Sequence, residues 1–298
     1  MTAAYIQVIL SGILWGLTGI YVRYFTGLGM SSPGVVWLRV TLAGLVLILF
    51  LLLKDRRLLK VRLKDIWCFM GTGVLSLALF NFCYFTNITE TSLSIACTMM
   101  YLSPIFVLLY SVMLFKERVT VQKVLACMLA IAGCSLVTGM FTDGSSITPR
   151  GILLGVLSGA GYGLYGIFSR LALNRGYKSL TITAYTFLFA MVGMAPFADF
   201  PVLGRSLGAM QWDGIFYLFL MLLTSVAPYI LYTKGLERVS PSAAAIIVVI
   251  EPVCAMLVGA LLYGEPITWL SSLGMILVIG AIVLLNVHFT KGKGRKLS

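Results

Sequence analysis

The chain has 298 residues, 60% of them hydrophobic and only 11% charged, with a formal net charge of +12. Soluble domains carry about 25% charged residues, so lipid is the expected solvent and an all-α membrane protein the expected class. A membrane barrel would show alternating segments of about ten residues instead, and positive charge gathered around the connections on one side argues topology rather than nucleic-acid binding.

A helix needs about 20 apolar residues to cross the hydrocarbon core. Ten such stretches occur in chain order, at roughly 5–25, 33–53, 66–86, 92–114, 120–140, 151–171, 180–200, 213–233, 241–263 and 268–289. The first holds Trp15 between Gly12 and Gly16, a GxxxG pair suited to close helix packing. The second carries Arg39, which can snorkel, gate or bind a carboxylate. The third carries Asn81, Tyr84 and Asn87, whose amides are costly in lipid and so are expected to face a cavity. The fourth has Tyr101 before Pro104 and ends at Glu117. The sixth has Gly159 and Gly163 with Tyr162 and Tyr165; the eighth has Tyr229 and Tyr232. The ninth has Glu251 before Pro252 and ends at Glu265. The tenth ends near His288, the only histidine, which has no partner for a metal site. The six cysteines all fall in apolar stretches without a CxxC pair, so they read as small buried hydrophobes. No cleavable signal peptide is expected, because no basic n-region precedes the first stretch.

The basic residues give the stretches an orientation. Eighteen of the 22, including Lys54 to Lys64, Lys116 to Lys123, Arg170 to Lys178, Lys234, Arg238 and the tail from Lys291, fall on one side if the spans alternate. The other side holds Arg23, Arg150 and Arg205. By the positive-inside rule both termini are expected in the cytoplasm, with the protein multi-pass in the plasma membrane.

The chain also repeats itself. TSLSIACTMMYLSPIFVLLYSVMLFKERVT (91–120) and VSPSAAAIIVVIEPVCAMLVGALLYGEPIT (239–268) align at an offset of 148, matching Ser92 with Ser240, Ser94 with Ser242, Ala96 with Ala244, Pro104 with Pro252, Glu117 with Glu265 and Thr120 with Thr268. SGILWGLTGIYVR (11–23) and SGAGYGLYGIFSR (158–170) align at 147. The expected units are 1–140 and 151–298, five spans each, joined by a linker at 141–150 rich in turn formers. Five is odd, so the second copy enters the membrane the other way up, and inverted repeats are a transporter signature.

Small residues, an in-helix Pro and a helix-ending Glu, present twice as Ala96/Pro104/Glu117 and Ala244/Pro252/Glu265, resemble the drug/metabolite transporter superfamily and its ten-helix EamA-type members. SGILWG (11–16) and Arg39 fit the first half of that pattern. The resemblance implies ten helices in two inverted repeats, with spans 1, 3, 4, 6, 8 and 9 lining a central cavity. It implies transport of amino acids, amines, aromatic metabolites or drugs, in either direction.

The candidate substrate-binding residues are therefore Glu251, Trp15, Asn81, Tyr84, Tyr101, Tyr162, Tyr165, Tyr229 and Tyr232, an aromatic cavity able to hold a cation. The candidate coupling or gating residues are Glu251, Arg39, Pro104 and Pro252. A carboxylate at bilayer depth is a functional candidate by default. Glu251 reads equally as a cation site or proton carrier, and as a helix cap or partner of Arg39. Its counterpart Ser103 carries no charge, so the fold does not require one.

The expected activity is secondary transport of a small molecule by alternating access, in the export direction, coupled to protons or running as a uniport. The alternatives are an importer or facilitator of a quaternary amine such as choline, and a non-transporting scaffold or lipid-handling protein. No P-loop, HExxH or GxSxG occurs, so no enzyme, cofactor or metal is expected. Membrane lipids and a second copy in a homodimer are the expected partners besides substrate, with a monomer equally open.

Overall fold

A computed structural model describes residues 2–141, 144 and 148–286. His288 and the basic tail lie outside these residues. Every regular element among the described residues is helical. The first half holds α1 (Thr2–Gly16), α2 (Thr18–Gly27), α3 (Ser32–Lys54), α4 (Ile66–Met70), a π-helical stretch (Gly71–Ala78), α5 (Leu79–Glu90), α6 (Leu93–Met100), α7 (Ser103–Phe115) and α8 (Val121–Val137). The second holds α9 (Pro149–Asn174), α10 (Ser179–Met194), α11 (Phe200–Gly208), α12 (Gly214–Gly235), α13 (Pro241–Ile247), α14 (Ile250–Tyr263) and α15 (Trp269–Asn286).

Among the described residues, eight helical stretches are long and apolar enough to cross a membrane, counting α1–α2, α4–α5, α6–α7 and α13–α14 as one each. The chain is a multi-pass membrane protein. The fifth expected span is shorter than the sequence suggested. α8 and α15 begin only after Thr120 and Thr268, whose hydroxyls accept from the N–H groups of Lys123 and Ser271, and α8 stops two residues before Gly139, which takes a left-handed φ of 75°. The expected linker is also shorter at its far end, because Thr148 caps α9 and Pro149 occupies its first turn, where a missing N–H costs nothing. The amphipathic α11 was not expected. Pro196 and the cap at Asp199 end the preceding helix early and start this one.

The packing scheme repeats between the halves. α1 lies against α12 and α14; correspondingly α9 lies against α5, α6 and α7. α3 packs on α10, and α8 on α15. Both of these pairs run antiparallel. Trp37 Nε1 donates to Met191 O at 3.1 Å near one end of the first pair, while Thr181 Oγ1 donates to Leu58 O at 2.8 Å beyond the other. In the second pair Gln122 bonds Leu284 O near one end and Gly133 faces Gly274 further along.

The GxxxG glycines sit at close helix contacts. A Cβ at Gly16 would lie 2.5 Å from Cys254 Cβ and 2.8 Å from Glu251 O, and one at Gly12 2.5 Å from Ile250 Cγ2. In the other half, a Cβ at Gly159 would lie 2.7 Å from Met99 O, and one at Gly163 2.7 Å from Val107 Cγ2. Each pair thus seats the first helix of one repeat on a broken helix, where any side chain would force the two apart.

Candidate functional site

The break between α6 and α7 falls at Tyr101 and Leu102, and that between α13 and α14 at Val248 and Val249. Pro104 and Pro252 lie just inside the second segment of each, where the pyrrolidine ring removes a backbone donor and forbids a continuous ladder. The second break leaves Glu251 in the first turn of α14, where a helix N-terminus favours an acid.

The chain encloses Glu251 on one side with Tyr162, whose hydroxyl donates to Oε2 at 2.9 Å. Phe80 packs edge-on to Tyr162 with ring centroids 5.3 Å apart. Tyr84 neighbours Phe80 and shares a hydrogen bond with Cys97 Sγ at 2.9 Å. A second aromatic set is formed by Trp15, Tyr165, Tyr229 and Tyr232. Trp15 meets Tyr229 edge-on at 5.1 Å, and Tyr165 lies 5.0 Å from Tyr229 and 5.7 Å from Tyr232. Tyr165 shares a hydrogen bond with Thr233 Oγ1 at 2.7 Å. The two sets meet at a cavity of about 30 Å³ lined by Trp15, Phe80, Ser103, Tyr162, Tyr165, Tyr229 and Tyr232. That is room for about one water molecule, so the aromatic side chains close the centre against anything larger.

A second cavity, about 440 Å³, opens beside it. Gly16, Cys97, Tyr101 and Pro252 form its inner wall, and Arg23, Ser94, Tyr263, Glu265, Thr268 and Ser271 lie further along it. Its volume falls within the range of small-molecule sites.

The ends of α7 and α14 differ although they are built alike. Each closes on a left-handed residue, Lys116 with φ 53° and Gly264 with φ 67°, and each following Glu N–H bonds the carbonyl six residues back, Ser111 or Gly259. This cap points both carboxylates off the helix end. Glu117 is taken up by Lys123 and by Ser242 of α13, with its side chain 10% exposed. Burial pushes the Glu117 carboxyl up, but hydrogen bonds from Lys123, Ser240 and Ser242 outweigh it and hold the group below its ordinary value. Glu265 instead pairs with Arg23 and remains 47% exposed. Its repeat-equivalent hydroxyl, Ser94, lines the wide cavity, and among the described residues no hydrogen bond joins the two. One carboxylate is tied across to α13 and the other to α2.

Six expected residues, Trp15, Tyr101, Tyr162, Tyr165, Tyr229 and Tyr232, line one of the two cavities, as does Pro252. Glu251 joins them through Tyr162, and Tyr84 through Phe80. Pro104 is buried behind Ser103. Asn81 departs from its expected role: its amide donates to Leu77 O of its own helix at 2.7 Å, and it lines neither cavity. Asn87 lies at the contact with α9, where it holds Thr91. Arg39 Nη1 reaches Tyr21 at 3.5 Å and its Nε is buried without a partner. No carboxylate comes within ion-pair distance of it among the described residues, so the alternative in which Arg39 partners Glu251 is not realised. Phe80 and Thr233 carry no such signal in the sequence, whereas the repeat marks Ser103 as the counterpart of Glu251. Among the described residues no group of His, Cys, Asp and Glu is placed to hold a metal ion.

A family model described as the EamA-like transporter family matches residues 2–139 and 149–287. An uncharacterized transporter of Archaeoglobus fulgidus is 28% identical over 281 residues, covering 93% of this chain and 94% of the relative. The uncharacterized inner membrane transporter YicL of Salmonella typhimurium is 22% identical, covering 95% and 94%. The uncharacterized transporter YyaM of Bacillus subtilis is 25% identical, covering 92% and 90%. A solved crystal structure superposes with a TM-score of 0.75 over 96% of both chains at 16% identity, a likeness of fold.

Proposed function

The chain belongs to the EamA-like transporter family, and from that premise we propose that it is a secondary transporter of the plasma membrane that exports small metabolites, such as amino acids, amines or drugs, by alternating access. Ten crossings form two inverted five-helix repeats, with the basic end and both termini in the cytoplasm. The observation that carries this reading is the contrast between Glu117 and Glu265, two repeat-equivalent carboxylates of which one is buried on Ser242 and the other stands apart from Ser94. Inversion is supported by the antiparallel packing of α3 on α10 and α8 on α15, since a two-fold axis that exchanges antiparallel neighbours is perpendicular to them. In the opposite state Glu265 engages Ser94, Glu117 releases Ser242, and the cavity opens at the basic end.

Glu251 is the residue most suited to recognise an amine. It lies mid-span, bonded to Tyr162 of the small cavity and next in the chain to Pro252 of the wide one, and aromatic faces add attraction for a cation. The same carboxylate can return a proton once substrate has left, which gives antiport. Import of a quaternary amine uses the same contacts with the gradient reversed.

Counterflow in proteoliposomes tests the reading. Protein preloaded with a panel of amino acids, quaternary amines and cationic drugs accumulates the labelled form of at least one of them. Uptake equal to empty liposomes across the whole panel would defeat it.

A further inference from the structure

At the basic end, away from both cavities, the segment after α3 folds onto the turn between α9 and α10. Thr181 Oγ1 donates to Leu58 O at 2.8 Å, Tyr185 OH to Leu59 O at 2.7 Å, and the Arg62 N–H to Tyr177 at 3.1 Å. Gly176, with φ 88°, makes the sharp turn that sets Arg175 and Tyr177 on this segment. The result is a pocket of about 220 Å³ lined by Arg57, Lys60, Arg62, Arg175, Lys178 and Tyr177.

The nearby acids are already occupied. Buried Asp65 takes Arg175 at 3.0 Å, Arg62 at 3.9 Å and the Tyr177 hydroxyl at 2.8 Å. Asp55 accepts the Arg57 N–H at 3.0 Å, and Glu237 accepts from Ser179 at 3.3 Å. The exposed side chains of Arg57, Lys60 and Lys178 make no ion pair among the described residues. α10 also starts at this pocket, and Lys178 at its cap position supplies no oxygen to the first-turn N–H groups, which leaves them for an anion.

We propose that this pocket binds a phosphate-bearing anion, the headgroup of an anionic phospholipid. The lipid source follows from the surroundings. Leu53 and Leu63 are 79% and 85% exposed and Trp67 43% exposed, an apolar collar with an interfacial Trp at the depth where acyl chains begin. The assignment is independent of what the protein transports.

Thermal shift of the full chain in neutral detergent tests it, with dihexanoyl phosphatidylglycerol, dihexanoyl phosphatidylcholine and inorganic phosphate as separate probes at matched ionic strength. Phosphatidylglycerol raises the midpoint of the unmodified protein and phosphatidylcholine does not. The Arg57→Ala/Lys60→Ala/Lys178→Ala variant, altered only at exposed side chains, binds phosphatidylglycerol roughly a hundredfold more weakly, at about a factor of five per basic residue. Removing Lys116, Arg118 and Lys234 instead leaves the response intact. Lys60→Ala alone, with about a fivefold loss, serves if the triple variant does not fold. Equal phosphatidylglycerol responses in the unmodified protein and both site variants would overturn the site. A phosphate response as large as that to phosphatidylglycerol would overturn the lipid source.

Discussion

Tyr162 of α9 donates its hydroxyl to Glu251 of α14 at 2.9 Å, tying the first helix of the second repeat to the broken helix that carries the mid-span carboxylate. The bond satisfies one oxygen of a group that is expensive at this depth and fixes its direction. Tyr162→Phe removes a hydrogen bond to a charged group, worth about 1.5–3 kcal/mol. The expected result is a substrate affinity lower by about tenfold or more, read by thermal shift against the substrate found in counterflow. An affinity within twofold of the original would place Glu251 outside recognition.

Glu251→Gln separates binding from coupling. If the carboxylate returns the proton, the variant loses pH-driven accumulation and keeps counterflow. Undiminished accumulation would remove Glu251 from coupling.

The glycine contacts predict a graded series. At Gly16 a methyl group has no room, with Cys254 and the Glu251 carbonyl both under 3 Å, and overpacking of this kind costs about 1–3 kcal/mol. Gly16→Ala lowers the unfolding midpoint and slows transport. Gly280→Ala, where a Cβ meets nothing within 4 Å, raises the midpoint slightly by improving helix propensity. Equal effects at the two positions would refute the close-packing account.

The two helix caps predict opposite responses to gaining and losing a glycine. Lys116 holds a left-handed φ that costs a non-glycine residue about 1–2 kcal/mol. Lys116→Gly is therefore expected to raise the midpoint, and Gly264→Ala to lower it.

Glu117 gives a pH dependence with a defined sign. Its carboxyl is held below the ordinary value by Lys123, Ser240 and Ser242, against the upward push of burial. A depressed acid stabilises the closed end fully above the unfolded value of about 4.3, and that stability disappears as pH falls through the lower folded value. The midpoint difference between the original protein and Glu117→Gln should be flat from pH 5 to 8 and shrink below about pH 4. A difference that grows on acidification would reverse the sign.

Much of this was legible in the chain itself. Apolar runs of span length foretold the membrane-spanning helices, because they depend on local composition. The breaks before Pro104 and Pro252 followed from the missing donor of proline. Three features were not legible. The π-helical stretch Gly71–Ala78 forms where Gly71 and Gly73 let Phe168 and Phe189 approach, a tertiary effect with no periodic signal. Asn81 looked like a cavity residue because a buried amide needs partners, yet its own helix supplies one at Leu77. The absence of an Arg39–Glu251 pair depends on side-chain direction between spans, which spacing alone does not encode.

In the proposed transport cycle, Glu117–Ser242 and Glu265–Ser94 are alternate closures of one path. Cysteine pairs at 117/242 and at 94/265, each in a chain whose six natural cysteines are replaced by serine, test it by cross-linking with a short bismaleimide in proteoliposomes. The account predicts that both pairs cross-link in the unmodified cycle, that each cross-link alone stops transport, and that substrate changes their yields in opposite directions. Cross-linking at 117/242 with none at 94/265 under any substrate gradient, while transport continues, would contradict it.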